Sequence, residues 1–408
     1  MKVLFASNPG AGHVNPLYPL AEILRRRGDD VKFAVAADFC PSVRQRGHNA
    51  EPAGLNWLLA DTGATFPERR DMPLHQQSTW FLTDVFADAA AHDMVPDLLR
   101  ICDRWRPDVI VRNDFEFGSC IAAELTGIPQ ATFGVSPFMP ASTLEPLIGD
   151  QLAYLRSAHG LAPFPALDML YPFLYLTIAP PGFQAAVCPV IHALRTAPVE
   201  EPGPGLPDWI MSLPDRPTVY VSLGTIFNRL PGLLSAIVGT LRAEPVNLIV
   251  TIGENEDVDT FGEQPENVHV ERYIPQELLL PHCDLFVTTG SLATTMAAVR
   301  HGVPLLVVPI SGDDRINARR VAAQGFGLVL SLPGPFEVGL PEAALDFAPA
   351  NVLAATWELL SSATHRAAVA RLRDEVEALP ALDRGADLLA CLAAERRPLY
   401  KDAHAEDR

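Results

Sequence analysis

Three short stretches of the chain carry residue types whose spacing could do chemistry. The first is Gly10-Ala11-Gly12-His13-Val14-Asn15-Pro16. It follows an apolar run, Val3 to Ser7, that reads as a buried strand. Glycines let a ligand come close to the backbone, and a histidine at the loop–helix junction can act as a base near neutral pH. A dinucleotide fingerprint is the competing reading. Asp38 after the second strand would suit it, but its third glycine is missing, because Asn15 stands there. A histidine that only caps or packs is the plain alternative. The second stretch is Asn113-Asp114, just past the run Asp108 to Val111. An acid after a strand is usually a turn or helix cap. Beside His13 it could hold the imidazole in one tautomer and stabilise its charged form. The third is Thr288-Thr289-Gly290-Ser291-Leu292-Ala293-Thr294-Thr295, between a strand and a helix. Free amides and hydroxyls at a helix start can cradle phosphate. Capping by Ser291 or Thr294 would explain part of the pattern.

The elements that must position these stretches alternate. After Gly10-Ala11-Gly12, a helix starts at Pro16, with Leu17, Leu20, Ala21 and Leu24 on one face, and stops at Gly28. Val31 to Ala36 is the next strand. Strand, helix, strand in that order implies a parallel sheet. Residues 53–95 are less regular and read as loops and helices around a pocket. Regularity returns with the strand Asp108 to Val111, a helix Ser119 to Thr126 and a strand near Ala131 to Phe133. Residues 196–217 are rich in proline and form the best interdomain linker. Strands then restart at Val219 to Leu223, Leu248 to Ile252, Leu285 to Val287 and Leu305 to Val308. Helices with a charged tail follow from about Pro341. The predicted fold class is α/β, with two doubly wound parallel sheets in tandem.

A chain of 408 residues is too long for one ordinary core. With 48% apolar and 20% charged residues it is no disordered polymer. Its net charge of −18 argues against nucleic acid or an anionic membrane as partner. The six cysteines, Cys40, Cys102, Cys120, Cys188, Cys283 and Cys391, show no metal-ligand spacing. They are expected to be buried, reduced thiols of a cytoplasmic protein. No run is long enough to span a bilayer, and the short apolar start reads as a strand rather than a leader.

These stretches, in this order, resemble the bacterial GT-B glycosyltransferases that tailor macrolides, anthracyclines and enediynes. Gly12-His13-Val14-Asn15-Pro16 looks like that family's opening. Leu206-Pro207-Asp208-Trp209, Ser222-Leu223-Gly224-Thr225, Arg272-Tyr273-Ile274-Pro275-Gln276 and Cys283-Asp284-Leu285 continue the likeness over nearly the whole chain. The resemblance implies two Rossmann-like domains facing a cleft. Residues 1–198 would bind the acceptor, 199–217 would link, 218–380 would bind a nucleotide sugar, and 381–408 would pack back on the first domain. His13 would deprotonate the acceptor hydroxyl, steadied by Asp114, and transfer would invert the anomeric centre without a metal. Tyr273 and Ile274 would hold the base of a TDP- or UDP-sugar, a co-substrate rather than a permanent cofactor. Gly224, Thr225, Thr289, Gly290, Ser291 and Thr294 would lie near its diphosphate, and Asp313 and Asp314 near its sugar. Asn15, Trp57, His75, Trp80 and Phe138 would line the site of a hydrophobic, polyketide-like acceptor.

The family usually has histidine where Thr289 stands and Asp-Gln where this chain has Asp313-Asp314. An ionised Asp only accepts hydrogen bonds, whereas Gln also donates, and an extra carboxylate repels a leaving diphosphate. Three functions therefore stand side by side. One is sugar transfer with an unusual donor. Another is acid–base chemistry by His13 and Asp114, such as a dehydration, cyclisation or isomerisation. The third is a non-catalytic helper. Monomer and homodimer are both open.

Overall fold

The computed structural model describes residues 1–185, 188–195, 205–224, 230, 232–253, 257–310, 312–333, 340–341 and 343–401. The chain folds as two units, residues 1–199 together with 379–408, and residues 200–378.

The first unit is built on seven strands: β1 (Lys2–Ala6), β2 (Asp30–Val35), β3 (Asn49–Pro52), β4 (Val109–Asn113), β5 (Gln130–Gly134), β6 (Leu174–Thr177) and β7 (Ile191–Ala193). All pair in parallel, in the order β3-β2-β1-β4-β5-β6-β7. Phe5 lies between Phe33 on one side and Val111 on the other. Val3, Leu4, Phe5 and Ala6 are wholly buried, as are Val109, Ile110 and Val111. A parallel sheet covered on both faces demands such unbroken apolar runs. β4 then departs from the rule, because Arg112, Asn113 and Asp114 at its end are also buried.

The second unit repeats the plan with β8 (Thr218–Ser222), β9 (Asn247–Thr251), β10 (Val268–Glu271), β11 (Leu285–Thr288), β12 (Leu305–Val307), β13 (Gly327–Ser331) and β14 (Leu345–Asp346). Its order is β10-β9-β8-β11-β12-β13-β14, again parallel. Trp209 stacks face to face on His269 of β10, with ring centroids 3.9 Å apart. In each sheet the winding reverses between two neighbours, β1 and β4 in the first, β8 and β11 in the second. Ligands of doubly wound sheets bind outside the carboxyl ends of strands at that reversal.

The helix Asp383–Glu395 belongs to the first unit and packs on the helix Tyr18–Arg26. Leu388, Leu389 and Leu392 are buried. A Cβ on Gly385 would come within 3.0 Å of Leu194 and 3.4 Å of Leu20, so glycine leaves those leucines room as the helix packs. Arg27 adds an exposed ion pair to Asp387 at 2.6 Å, a small contribution by comparison. The less regular stretch resolves into short turns and then one helical run. That run is α-helical over Leu74–Trp80, a π-helix over Phe81–Ala89, and α-helical again over Ala90–Trp105. All six cysteines are free, but burial is not general among them. Cys188 and Cys283 are half-buried and Cys391 is exposed, on the outer face of the last helix.

Candidate functional site

In the first unit, β1 runs out at Ala6 and the chain turns through Gly10 into a single helical turn, Ala11–Val14, that carries His13. Gly10 is needed for room, since a Cβ there would lie 2.7 Å from the Leu59 side chain. β4 ends beside β1, and the turn Asn113–Glu116 is tied to it. Asn113 Nδ2 donates to Ser7 Oγ at 2.7 Å, and Asn8 Nδ2 to the Phe115 carbonyl at 2.8 Å. Asn113 Oδ1 accepts from the Phe115 amide at 2.8 Å.

The His13 ring sits against Phe86 and Phe115, with centroids at 5.5 and 5.9 Å. Its Nδ1 is buried and has no hydrogen-bond partner. Burial pushes the imidazole down to about 4, and nearby Asn113 opposes this only in part. At neutral pH the ring is therefore an uncharged proton acceptor. The pairing expected between His13 and Asp114 is not formed. Asp114 accepts instead from the Ser136 hydroxyl at 2.6 Å and from the Val135 and Ser136 amides at 3.3 Å. Two free amides and a hydroxyl at the exit of β5 satisfy that carboxylate better than one imidazole could. Burial raises it to about 6, and the same cause lifts Glu116 to about 7.

Around His13 the rings form a continuous wall. Phe86 stacks on Phe115 at 5.6 Å and on Phe81 at 5.8 Å. Trp57 meets Phe86 and Phe66 at 6.1 Å, and Phe66 meets Trp80 at 5.5 Å. Trp57 and Trp80 are thus brought to the same wall as His13. Phe138 is not; it packs with Tyr171 and Tyr175 at 5.2 and 5.1 Å. Asn15 is half-buried in the turn after His13. His75 lies on the helix Leu74–Trp80, but its side chain is outside the described residues. Sequence reasoning missed Phe86 and Phe115. Residues five apart on an α-helix point roughly 140° away from each other, yet the π-helix stacks Phe81 on Phe86.

In the second unit, Gly224 follows β8 with a φ of 76°, and Thr225 lies outside the described residues. After β11 come Thr289, which is buried, and Gly290, whose φ is 91°. A Cβ on Gly290 would also strike Val307 Cγ1 at 2.6 Å. Ser291 Oγ donates to Thr294 Oγ1 at 3.0 Å and caps no amide. The first amide of the helix Leu292–Arg300 goes instead to Asp313 Oδ2 at 3.0 Å, which also accepts from Asn317 Nδ2 at 2.9 Å. Buried Asp314 accepts from the Ile310 amide at 3.3 Å. Asp313 and Asp314 are thereby gathered with Thr289, Gly290, Ser291 and Thr294 at one end of the sheet. The acceptor at this helix start is a side chain of the protein itself. Half-buried Tyr273 and buried Ile274 follow β10 at the same carboxyl edge. Among the described residues no group of three or more His, Cys, Asp or Glu could hold a metal ion, and no helix is long and apolar enough to cross a membrane.

Two family models match the chain: the N-terminal domain of erythromycin biosynthesis protein CIII-like proteins over residues 23–224, and their C-terminal domain over residues 235–387. The chain belongs to this family. It is an enzyme of the glycosyltransferase class. It is similar to 4'-demethylrebeccamycin synthase of Lentzea aerocolonigenes, 29% identical over 95% of this chain and 98% of the relative. It is also similar to 3-alpha-mycarosylerythronolide B desosaminyl transferase of Saccharopolyspora erythraea, 25% identical over 97% and 99%. Among solved structures, glycosyltransferase VinC in complex with dTDP superposes with a TM-score of 0.76 at 25% identity, covering 97% of this chain and all of that one. The spinosyn rhamnosyltransferase SpnG superposes at 0.77 with 22% identity, over 96% of this chain and all of that one, a likeness of fold alone. The fold is GT-B, two Rossmann-like parallel-sheet domains. The N-terminal family match begins after His13, so the case for that residue rests on its surroundings.

Proposed function

We propose that the protein transfers a sugar from a nucleoside diphosphate donor, a TDP- or UDP-sugar, to a hydroxyl of an apolar, polyketide-like acceptor. Supporting relatives carry names of antibiotic glycosyltransferases, and solved relatives are described with dTDP, with thymidine diphosphate and with a spinosyn aglycone. The observation that carries the reading is His13, a neutral imidazole with an unpartnered Nδ1 at the winding reversal of the first sheet, walled by aromatic rings.

In this reading the acceptor O–H proton passes to His13. The acceptor oxygen bonds to the anomeric carbon from the face opposite the diphosphate. The bond from that carbon to the phosphate oxygen breaks, its electron pair leaves with the diphosphate, and configuration inverts. Trp57, Trp80 and Asn15 flank the acceptor, with Phe86 and Phe115 closest to the base, while His75 and Phe138 are more distant expectations. Tyr273 stacks on the donor base and Ile274 bonds it through the backbone. Gly224, Thr225, Thr289, Gly290, Ser291 and Thr294 surround the diphosphate, with Asp313 and Asp314 toward the sugar. Asp114 acts through the turn it holds rather than by touching His13.

One observation favours a second reading, acid–base chemistry without sugar transfer. The Asp313 carboxylate already occupies the helix amide that a phosphate would take, and two carboxylates crowd that loop. Calorimetry with TDP and UDP decides between them. Sugar transfer requires saturable binding of one of them, and no heat with either leaves the second reading. In a transfer assay, His13→Ala should lower kcat about 10²–10⁴-fold with the nucleotide affinity unchanged. Full activity in that variant would remove His13 from the chemistry.

A further inference from the structure

Arg112 has no exposed surface, yet it follows the wholly buried aliphatic run Val109, Ile110 and Val111 in the same strand. Among the described residues it makes no ion pair. Nη1 is shared among the carbonyls of Asn113, Asp114 and Glu116 at 3.0, 3.2 and 3.0 Å, and Nη2 donates to the carbonyl of Leu170 at 2.8 Å. Nε has no partner. An apolar side chain of similar volume would be the easier choice for stability alone. What the guanidinium adds is a planar fork that fixes several acceptors at once.

Those acceptors belong to the turn that meets His13. Pulling three of its carbonyls inward turns other groups toward β1. The Phe115 amide closes on Asn113, the Asn113 side chain reaches Ser7, and Asn8 reaches the Phe115 carbonyl. On the far side of the turn the Phe115 ring lies 5.9 Å from the imidazole, and Asn113 is its polar neighbour. We propose that Arg112 is a positioning residue for the His13 base: it clamps the exit of β4 so that Phe115 and Asn113 hold the imidazole in place with its Nδ1 shielded from water. This rests on the reading of His13 as the base in sugar transfer.

The titratable groups that face Arg112 are Asp114 and Glu116 on its own turn, Cys120 on the following helix, and Tyr171 and Tyr175 from the β6 side. Those packed on His13 are rings without charge, Phe86 and Phe115. If the clamp opens, water reaches the imidazole and its proton affinity returns toward that of a free histidine. That change moves the acid limb of activity upward in pH.

The test follows the His13 ring by NMR in chain labelled with ¹⁵N-histidine, its signal assigned by its loss in His13→Gln. In Arg112→Met we expect the titration to rise by about one pH unit or more. The acid limb of kcat/KM should rise with it, with kcat reduced about a hundredfold and the donor KM within about twofold. Arg112→Lys keeps the charge without the fork and should move each readout the same way by less. A His13 titration at its wild-type value in either folded variant overturns the proposal. So does loss of fold in both, which assigns Arg112 to the core alone. If only Arg112→Met fails to fold, Arg112→Lys decides by the same criterion. The NMR arm needs no substrate. A wild-type chain that transfers no sugar therefore sinks the proposed function and leaves that arm standing.

Discussion

His13 gives up solvation to sit between Phe86 and Phe115, and that ties the folded protein to pH. An ordinary histidine titrates near 6.5, and this one is pushed down to about 4. Between those values the unfolded chain binds a proton that the folded chain does not. The contribution of His13 is thus fully present above about 6.5 and is lost as pH falls toward 4. Asp114 and Glu116, raised to about 6 and about 7, act in the opposite sense. They favour the folded state at low pH and lose that contribution as pH rises through those values. His13→Gln should remove the first dependence and keep the second. Urea unfolding of the two chains should show the variant gaining about 1–3 kcal/mol on the wild type between pH 6.5 and pH 4. Parallel stability curves would mean that the imidazole is solvated.

Elements are judged by their ends. The turn from β11 to the helix Leu292–Arg300 depends on Gly290, whose backbone lies where side chains are strained and whose Cβ would meet Val307. Gly290→Ala should lower stability by about 1–3 kcal/mol, from positive φ and overpacking together. Differential scanning calorimetry would register it as a lower Tm, and an unshifted Tm would put the turn in another conformation. Most central strands were legible at sequence level, because buried parallel strands leave apolar runs such as Val219 to Leu223. The edge strands β3, β7, β10 and β14 were not, since edge positions carry no such run, and the penultimate strands β6 and β13 were missed as well. The π-helix was illegible as well, because its five-residue stacking of Phe81 and Phe86 reads as noise against a helical period of 3.6. Who bonds whom at the candidate site was not readable. Asp114 chose Ser136 over His13, and Asp313 rather than Ser291 took the Leu292 amide. Such choices depend on rotamers and on neighbours distant in sequence.

For the whole molecule, the helix Asp383–Glu395 completes a unit that began at residue 1. Its three buried leucines represent about 1.5–3 kcal/mol each, against a typical domain stability of about 5–15 kcal/mol. Deleting residues 379–408 should therefore unfold or severely loosen the first unit. Hydrogen exchange would read this as lost protection in β1 and β4 with β8 and β11 still protected. Equal protection in both sheets would make the last helix dispensable. The same feature orders events during synthesis. As the polypeptide leaves the ribosome, every strand of the first sheet emerges early and must wait, its flank uncovered, while some two hundred further residues are translated. The second unit, contiguous in the chain, can finish first. A newborn copy would thus complete its second unit before its histidine-bearing unit is sealed, and chaperone demand should fall on that waiting surface.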